Sequence, residues 1–408
     1  MKIQDIRSQF PILADTVYGK PLVYLDNAAT AQRPQSVVDK EAELSLHTNA
    51  NIHRAVHSLA VRATEEYEAT RDFIRDFIHA GSREEIIFTT GTTASINLVA
   101  FSFGEAFIHE GVEVIVSAAE HHSNIVPWQM MCGRKKAFLK VLDIDGNGGL
   151  DIDSLGKLIS QRTRIVAISH ISNVLGLVNP VKEIVRICHE KGVPVLIDGA
   201  QGIVHENVDV QDLDCDFYAF SGHKIYAATG TGVLYGKRKW LDAMPPFLGG
   251  GEMIETVRFS GTTYAPLPEK FEAGTQHVNG IPTLRPAIVF LQSCAQVPEV
   301  LDYQRKTKEY VYESLTSDPR VTLYGVPRRT EDKIPLFSFT VKGVHHEDLA
   351  LIMDKMGIAL RSGQMCAEPL MDCYGVTGML RASFAPYNTM EEAEYFVECL
   401  GKAIAMLT

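Results

Sequence analysis

No apolar run in the sequence reaches the roughly 20 residues needed to cross a bilayer, and the opening Met1-Lys2-Ile3-Gln4-Asp5-Ile6 lacks the apolar core of a secretory leader. Seven cysteines are scattered without a Cys-x-x-Cys pair, and their number is odd. A disulfide framework is therefore not expected, and the cytosol is the default compartment. Basic residues are the minority sign: 39 Lys and Arg against 50 Asp and Glu leave a net charge of −11. That balance argues against nucleic acid or an anionic membrane as the main partner. Internal repeats and low-complexity segments are absent. Two familiar ligand motifs fail on inspection. Thr90-Gly91-Thr92-Thr93 lacks the Lys-Ser/Thr ending of a Walker loop. Asp143 to Asp151 imitates the start of a calcium loop, but Ser154 stands at the twelfth position, where a bidentate glutamate is needed. It reads as a polar turn, and no metal site is expected.

What is present is an ordinary globular composition, 46% hydrophobic and 22% charged over 408 residues, enough for a large core and about two domains. Strand, helix and strand signals alternate across residues 85–235, the pattern of a parallel sheet covered by helices. The apolar run Phe217-Tyr218-Ala219-Phe220 reads as a buried strand that stops abruptly in Ser221-Gly222-His223-Lys224. A lysine just past a core strand sits where doubly wound sheets place their ligands. Partial desolvation there lowers an amine's pKa and suits it to Schiff-base formation, whereas a lone loop lysine is more often simply solvated.

Other strand ends carry chemistry of their own. Val195-Leu196-Ile197-Asp198 ends in a carboxylate followed by Gly199-Ala200-Gln201, and a buried acid calls for a cationic partner. Gly91-Thr92-Thr93 opens a helix after Glu85–Thr89, offering N–H groups and hydroxyls to a phosphate, although a plain N-cap would look the same. Glu120-His121-His122-Ser123-Asn124 leaves the strand 112–116, where a histidine could stack on a flat ligand, shuttle protons or merely cap a helix. Asn173 follows the strand Arg164–His170, and the loop at Ala28 places small residues where backbone can approach a ligand. His53 and Arg54 read as surface polarity. A helical stretch over about 283–315 leads toward a smaller carboxyl-terminal domain, and residues 245–277 read as loops with a hairpin.

Together these residues form a pyridoxal 5'-phosphate site. Lys224 would carry the aldehyde as a Schiff base, and Asp198 would keep the pyridine nitrogen protonated. Thr92, Thr93, Ser221 and His223 would hold the phosphate, and His121 would stack on the ring. The chain resembles the SufS-like (group II) cysteine desulfurases of the class V aminotransferase family. Tyr24 to Ala29, Asn51-Ile52-His53-Arg54, Gly91-Thr92-Thr93, Glu120 to Asn124, Asp198 to Gln201, Ser221 to Lys224, Gly249 to Ile254, Glu272 to Thr275, Arg361 to Pro369 and Arg381-Ala382-Ser383 carry the resemblance.

The resemblance implies an α/β fold of type I. Residues 1–20 would pack on the small domain, 21–290 would form a large domain with a mainly parallel sheet, and 291–408 would form a smaller α+β domain bearing Cys366 and Arg381. It implies conversion of L-cysteine to L-alanine with sulfur passed to Cys366 as a persulfide, in support of iron–sulfur cluster assembly. Lys224, Cys366 and His121 would be catalytic, and Gln201 and Thr275 would join the cofactor residues. Arg381, Asn173, Arg361, Ala28 and Arg54 would bind substrate. It further implies a homodimer in which Thr275 and Arg54 reach the partner's site, and a sulfur acceptor of SufE-like or SufU-like type. Val344-His345-His346 resembles a region where the SufU-like acceptor docks, though two loop histidines could equally be solvated. The chain departs from the family at Met365, where a histidine commonly precedes the cysteine. That departure raises the standing of a selenocysteine lyase, or another β-lyase on the same cofactor, as the alternative. A non-catalytic assembly scaffold fits less well with Lys224, Asp198 and Arg381 all retained.

Overall fold

The structure, a computed structural model, describes residues 3–408. Its central sheet has seven strands: β1 (Ile86–Thr89), β2 (Glu113–Ser117), β3 (Phe138–Leu142), β4 (Thr163–Ser169), β5 (Val195–Asp198), β6 (Phe217–Ser221) and β7 (Gly232–Gly236). They lie in the order β1-β7-β6-β5-β4-β2-β3. The pairs β2–β3, β2–β4, β4–β5 and β5–β6 are parallel, while β7 runs antiparallel to β6 and β1. The mainly parallel sheet expected from the strand–helix alternation is present.

Strands β2, β5 and β6 are buried at every residue, which is why they read as continuous apolar runs rather than alternating ones. Successive side chains still point to opposite faces. Ile165 and Ala167 of β4 join Ile96, Val99 and Phe103 of helix α1 (Thr92–Phe107) in one core. Val166 and Ile168 join Val181, Ile184 and Val185 of α2 (Val181–His189) in the other. The valine, isoleucine and phenylalanine side chains among these each contribute about 1.5–3 kcal/mol through burial, so the sheet is a rigid support for whatever its strand ends carry. β1, β2, β4, β5 and β6 all end on one edge, at Thr89, Ser117, Ser169, Asp198 and Ser221. β7 starts there, with Gly232 opposite both Ser221 and Thr89.

A second sheet, β8 (Val321–Tyr324), β9 (Leu336–Val341), β10 (Arg361–Gly363) and β11 (Met379–Ser383), is ordered β8-β9-β11-β10. Phe337, Phe339, Leu380 and Ala382 pack there against Val311, Leu349 and Phe396. Val23 and Leu25 belong to this same core, and Val23–Tyr24 pairs in parallel with Ile358–Ala359. The segment before them bridges the two halves: Phe10 stacks 5.1 Å from Phe290 and 4.5 Å from Tyr387.

The long helix expected over 283–315 is two helices, Leu284–Ala295 and Pro298–Ser317. Pro298 has no N–H to continue the ladder and forces Val297 into an extended conformation, φ −108° and ψ 105°. The hairpin expected within 245–277 is Ile254–Arg258 paired with Gly261–Tyr264. At the false calcium motif, Asp145 Oδ1 accepts the N–H groups of Asn147 and Gly149 and so closes a polar turn. No helix among the described residues is long and apolar enough to cross a membrane.

Candidate active site

The strand ends of the large sheet converge with the small sheet on one cavity of about 220 Å³. Its floor is Lys224, in the turn that follows β6, and Asp198, at the end of β5. Burial lowers the Lys224 ammonium below its ordinary range, and the Asp198 charge opposes that shift. Burial likewise raises the Asp198 carboxyl, against the pull of Lys224 and the Ala200 N–H that Oδ1 accepts at 3.0 Å. Each group is thus expensive to ionise alone and less so beside a charge of opposite sign.

One wall is the N-terminus of α1. The Thr92 N–H donates to Ser221 Oγ at 2.8 Å, and the Thr92 and Ser221 hydroxyls lie 2.7 Å apart. Thr93 Oγ1 meets Ser123 Oγ at 2.7 Å. This approach depends on glycine twice. Gly91 has φ 144°, and a Cβ on Gly232 would fall 2.4 Å from the Gly91 Cα. Donors gathered at the end of a 16-residue helix are chemically suited to an anion.

His121 and His223 line the same cavity, and burial pushes them down to about 3 and about 4, so both are neutral imidazoles at physiological pH. His121 Nδ1 accepts the Ser123 N–H at 3.0 Å, which leaves the ring proton on Nε2. Behind it Glu120, pushed up to about 7 by burial, accepts from Ser117 Oγ, Asn124 Nδ2 and the Ser169 N–H. Gln201 Nε2 donates to the Ala28 carbonyl at 2.9 Å and fixes that backbone at the cavity edge.

The opposite wall comes from the small sheet. Arg381 on β11 donates from Nη1 to the Asn173 carbonyl (2.8 Å) and from Nη2 to Asp26 Oδ1 (3.1 Å). Its buried Nε has no partner. Asn173 Nδ2 in turn donates to the Met365 carbonyl at 2.9 Å. Arg361 stands opposite Arg381 in the β10–β11 register, and Arg361, Met365 and Cys366 all line the cavity. Cys366 is exposed, whereas Cys132, Cys188, Cys215, Cys294 and Cys399 are buried. Met365 and Cys366 have φ of 50° and 56°, two consecutive left-handed residues. Such residues cost on the order of 1–2 kcal/mol each.

Of the residues singled out in the sequence, Thr92, Thr93, His121, Asn173, Asp198, Gln201, Ser221, His223, Lys224, Arg361, Cys366, Arg381 and Ala28 meet here. Thr275 and Arg54 do not line this cavity; Arg54 pairs instead with Glu252 at 3.0 Å. Ser123, Ser169 and Met365 line it without having been singled out as site residues, and Asp26 supports Arg381 from behind. Ser169 carried a usable signal, since it closes a strand at the ligand-bearing edge.

The aminotransferase class-V profile matches residues 23–396. The chain belongs to the class-V aminotransferase family. Within it, the chain is 47% identical to a cysteine desulfurase of Cronobacter sakazakii, over 97% of this chain and 96% of that one. Among solved structures of this class-V family fold, it superposes on the cysteine desulfurase CsdA from Escherichia coli with a TM-score of 0.90, at 40% identity and 100% coverage of both chains. It superposes on an apo cysteine desulfurase from Thermococcus onnurineus with a TM-score of 0.93 at 36% identity, covering 100% of this chain and 99% of the other.

Proposed function

We propose that this protein is a pyridoxal 5'-phosphate-dependent cysteine desulfurase, converting L-cysteine to L-alanine and keeping the sulfur on Cys366 as a persulfide. One observation carries the reading. A single cavity is lined at once by an amine, a buried carboxylate, a guanidinium with an unpartnered Nε, and an exposed thiol. Full-length similarity to cysteine desulfurases supports it.

The residues fit the cofactor. Burial holds the Asp198 carboxyl high, and a protonated ring nitrogen is the cation that would reverse this. Thr92, Thr93, Ser221 and His223 gather donors at a helix N-terminus for the phosphate, and Lys224 is the amine for the aldehyde. Gln201 and the neutral His121 ring complete the set. When bound, the cofactor supplies an electron sink conjugated to the substrate Cα.

The protein's own groups then divide the work. Arg381 receives the substrate carboxylate, with Asn173, Arg361 and the fixed Ala28 backbone shaping the approach. Lys224 Nζ takes the Cα proton, and His121 Nε2 manages the proton of the substrate thiol. Cys366 Sγ attacks the substrate sulfur as thiolate. An S–S bond forms, the C–S bond breaks with its electron pair left on carbon, and protonation there gives the alanine methyl. The persulfide would pass to a SufE-like or SufU-like acceptor for iron–sulfur cluster assembly. A homodimer would bring Thr275 and Arg54 to the partner's site. Seven unpaired cysteines support a cytosolic setting.

The test is product analysis of the purified holoenzyme with L-cysteine, with and without candidate acceptors. Stoichiometric alanine with a persulfide mapped to Cys366 is expected, and no alanine from cysteine would overturn the reading. Selenocysteine lyase activity is the second reading, favoured by Met365 standing where an imidazole would assist the thiol. Comparing both substrates with Cys366 intact and replaced separates the two.

A further inference from the structure

We infer that His122 is a positioning residue for the nucleophile, clamping the Cys366 turn to the large domain through its backbone and its imidazole together. The inference rests on the proposed desulfuration at Cys366. The His122 N–H donates to the Cys366 carbonyl at 2.7 Å. Two residues further along the same turn, the Glu368 N–H donates to His122 Nε2 at 3.0 Å. One residue of the large domain therefore holds two backbone points directly after the Cys366 Cα, the carbonyl of Cys366 itself and the N–H of Glu368.

The turn needs such a hold. Met365 and Cys366 both lie in the left-handed region, which L side chains enter reluctantly. The helix that follows, Glu368–Tyr374, begins at Ala367, whose methyl cannot accept a hydrogen bond from the helix's first N–H groups. The His122 ring stands in for the missing cap from across the domain boundary. Because Nε2 accepts, the proton of the neutral ring lies on Nδ1, the reverse of His121, whose Nδ1 accepts from Ser123. The adjacent histidines are thereby assigned different tasks. His121 lines the cavity, and His122 sets where the thiol stands relative to it.

Phe at position 122 keeps a ring of similar size without the acceptor, and Gln restores an acceptor. In H122F, amide exchange across residues 364–370 should rise about tenfold or more over wild type. Its kcat for alanine release should fall about tenfold, with cysteine KM and cofactor absorbance within about twofold. H122Q should return both exchange and kcat to within about threefold of wild type. Unchanged exchange in H122F, fast exchange with unchanged kcat, or H122Q no better than H122F would each overturn the clamp. Exchange needs no turnover, so a wild-type protein that releases no alanine would sink the proposed function while the clamp is still decided by exchange.

Discussion

The two walls of the cavity are built on opposite terms. Thr92, Asp198, Gln201 and Ser221 are buried at or just past the ends of strands in the large sheet, where Asp198 and Ser221 close strands of a parallel ladder. Cys366 is exposed on a turn with two left-handed residues, tied down by a few individual hydrogen bonds. Groups that stabilise charge gain from fixed, desolvated surroundings, because their electrostatics strengthen as water is excluded. In the proposed function Cys366 hands sulfur to an acceptor and so has to be reachable, which fits its exposed turn. The contrast suits the proposed reaction, in which electrons are handled inside the cavity and sulfur is retained on the exposed thiol.

Single substitutions on each wall should separate these terms. Lys224→Ala removes the floor amine and is expected to lower alanine release on the order of 10³-fold or more, together with the absorbance of the proposed pyridoxal phosphate Schiff base. Cys366→Ala is expected to lower cysteine desulfuration on the order of 10²-fold or more while leaving that absorbance in place. If Cys366→Ala also bleaches the cofactor band, or still releases alanine at the normal rate, the division between the walls is wrong.

Acid should tell on the rigid side. His170, under the floor, meets the Tyr218 hydroxyl at 3.0 Å, and burial pushes it down to about 4. Unfolded, it would bind its proton near pH 6.5. Between about 6.5 and 4 the unfolded chain therefore holds the extra proton, and this group's contribution to stability is lost as pH falls. His170→Gln should be less stable than wild type at pH 7. The gap should close on acidification by up to roughly 1 kcal/mol per pH unit. Denaturant midpoints of both proteins at pH 7 and 5 measure this, and a gap that stays constant would assign His170 no titrating role.

The floor was the more legible wall in the sequence, for a physical reason. Buried strands such as Val195–Asp198 and Phe217–Ser221 are continuous apolar runs, so the polar residue that ends each one stands out locally. The other wall depends on contacts between residues far apart in the chain. Asp26 meets Arg381 across 355 positions, and Asn173 meets Met365 across 192. Val23 pairs with Ile358 and shares the core of the small sheet although it lies near the start of the chain. No local periodicity encodes such pairings. The resemblance to a family supplied Arg381 and Cys366, whereas the support from Asp26 and His122 emerged only with the fold.

The smallest and sharpest perturbation is Met365→His. Met365 is 5% exposed and packs into the main apolar core, so an imidazole there would meet the same desolvation that keeps His121 neutral. The backbone would accept it, since histidine enters the left-handed region more readily than most side chains. A neutral imidazole directly before Cys366 would offer the thiol a base that the present side chain cannot. Cysteine turnover should then rise by up to about tenfold, with little change for selenocysteine, whose selenol ionises without help. The ratio of the two rates is the measurement. If both rise together, or neither moves, the side chain at position 365 does not limit the thiol, and the exposed turn differs from the rigid floor in its position alone.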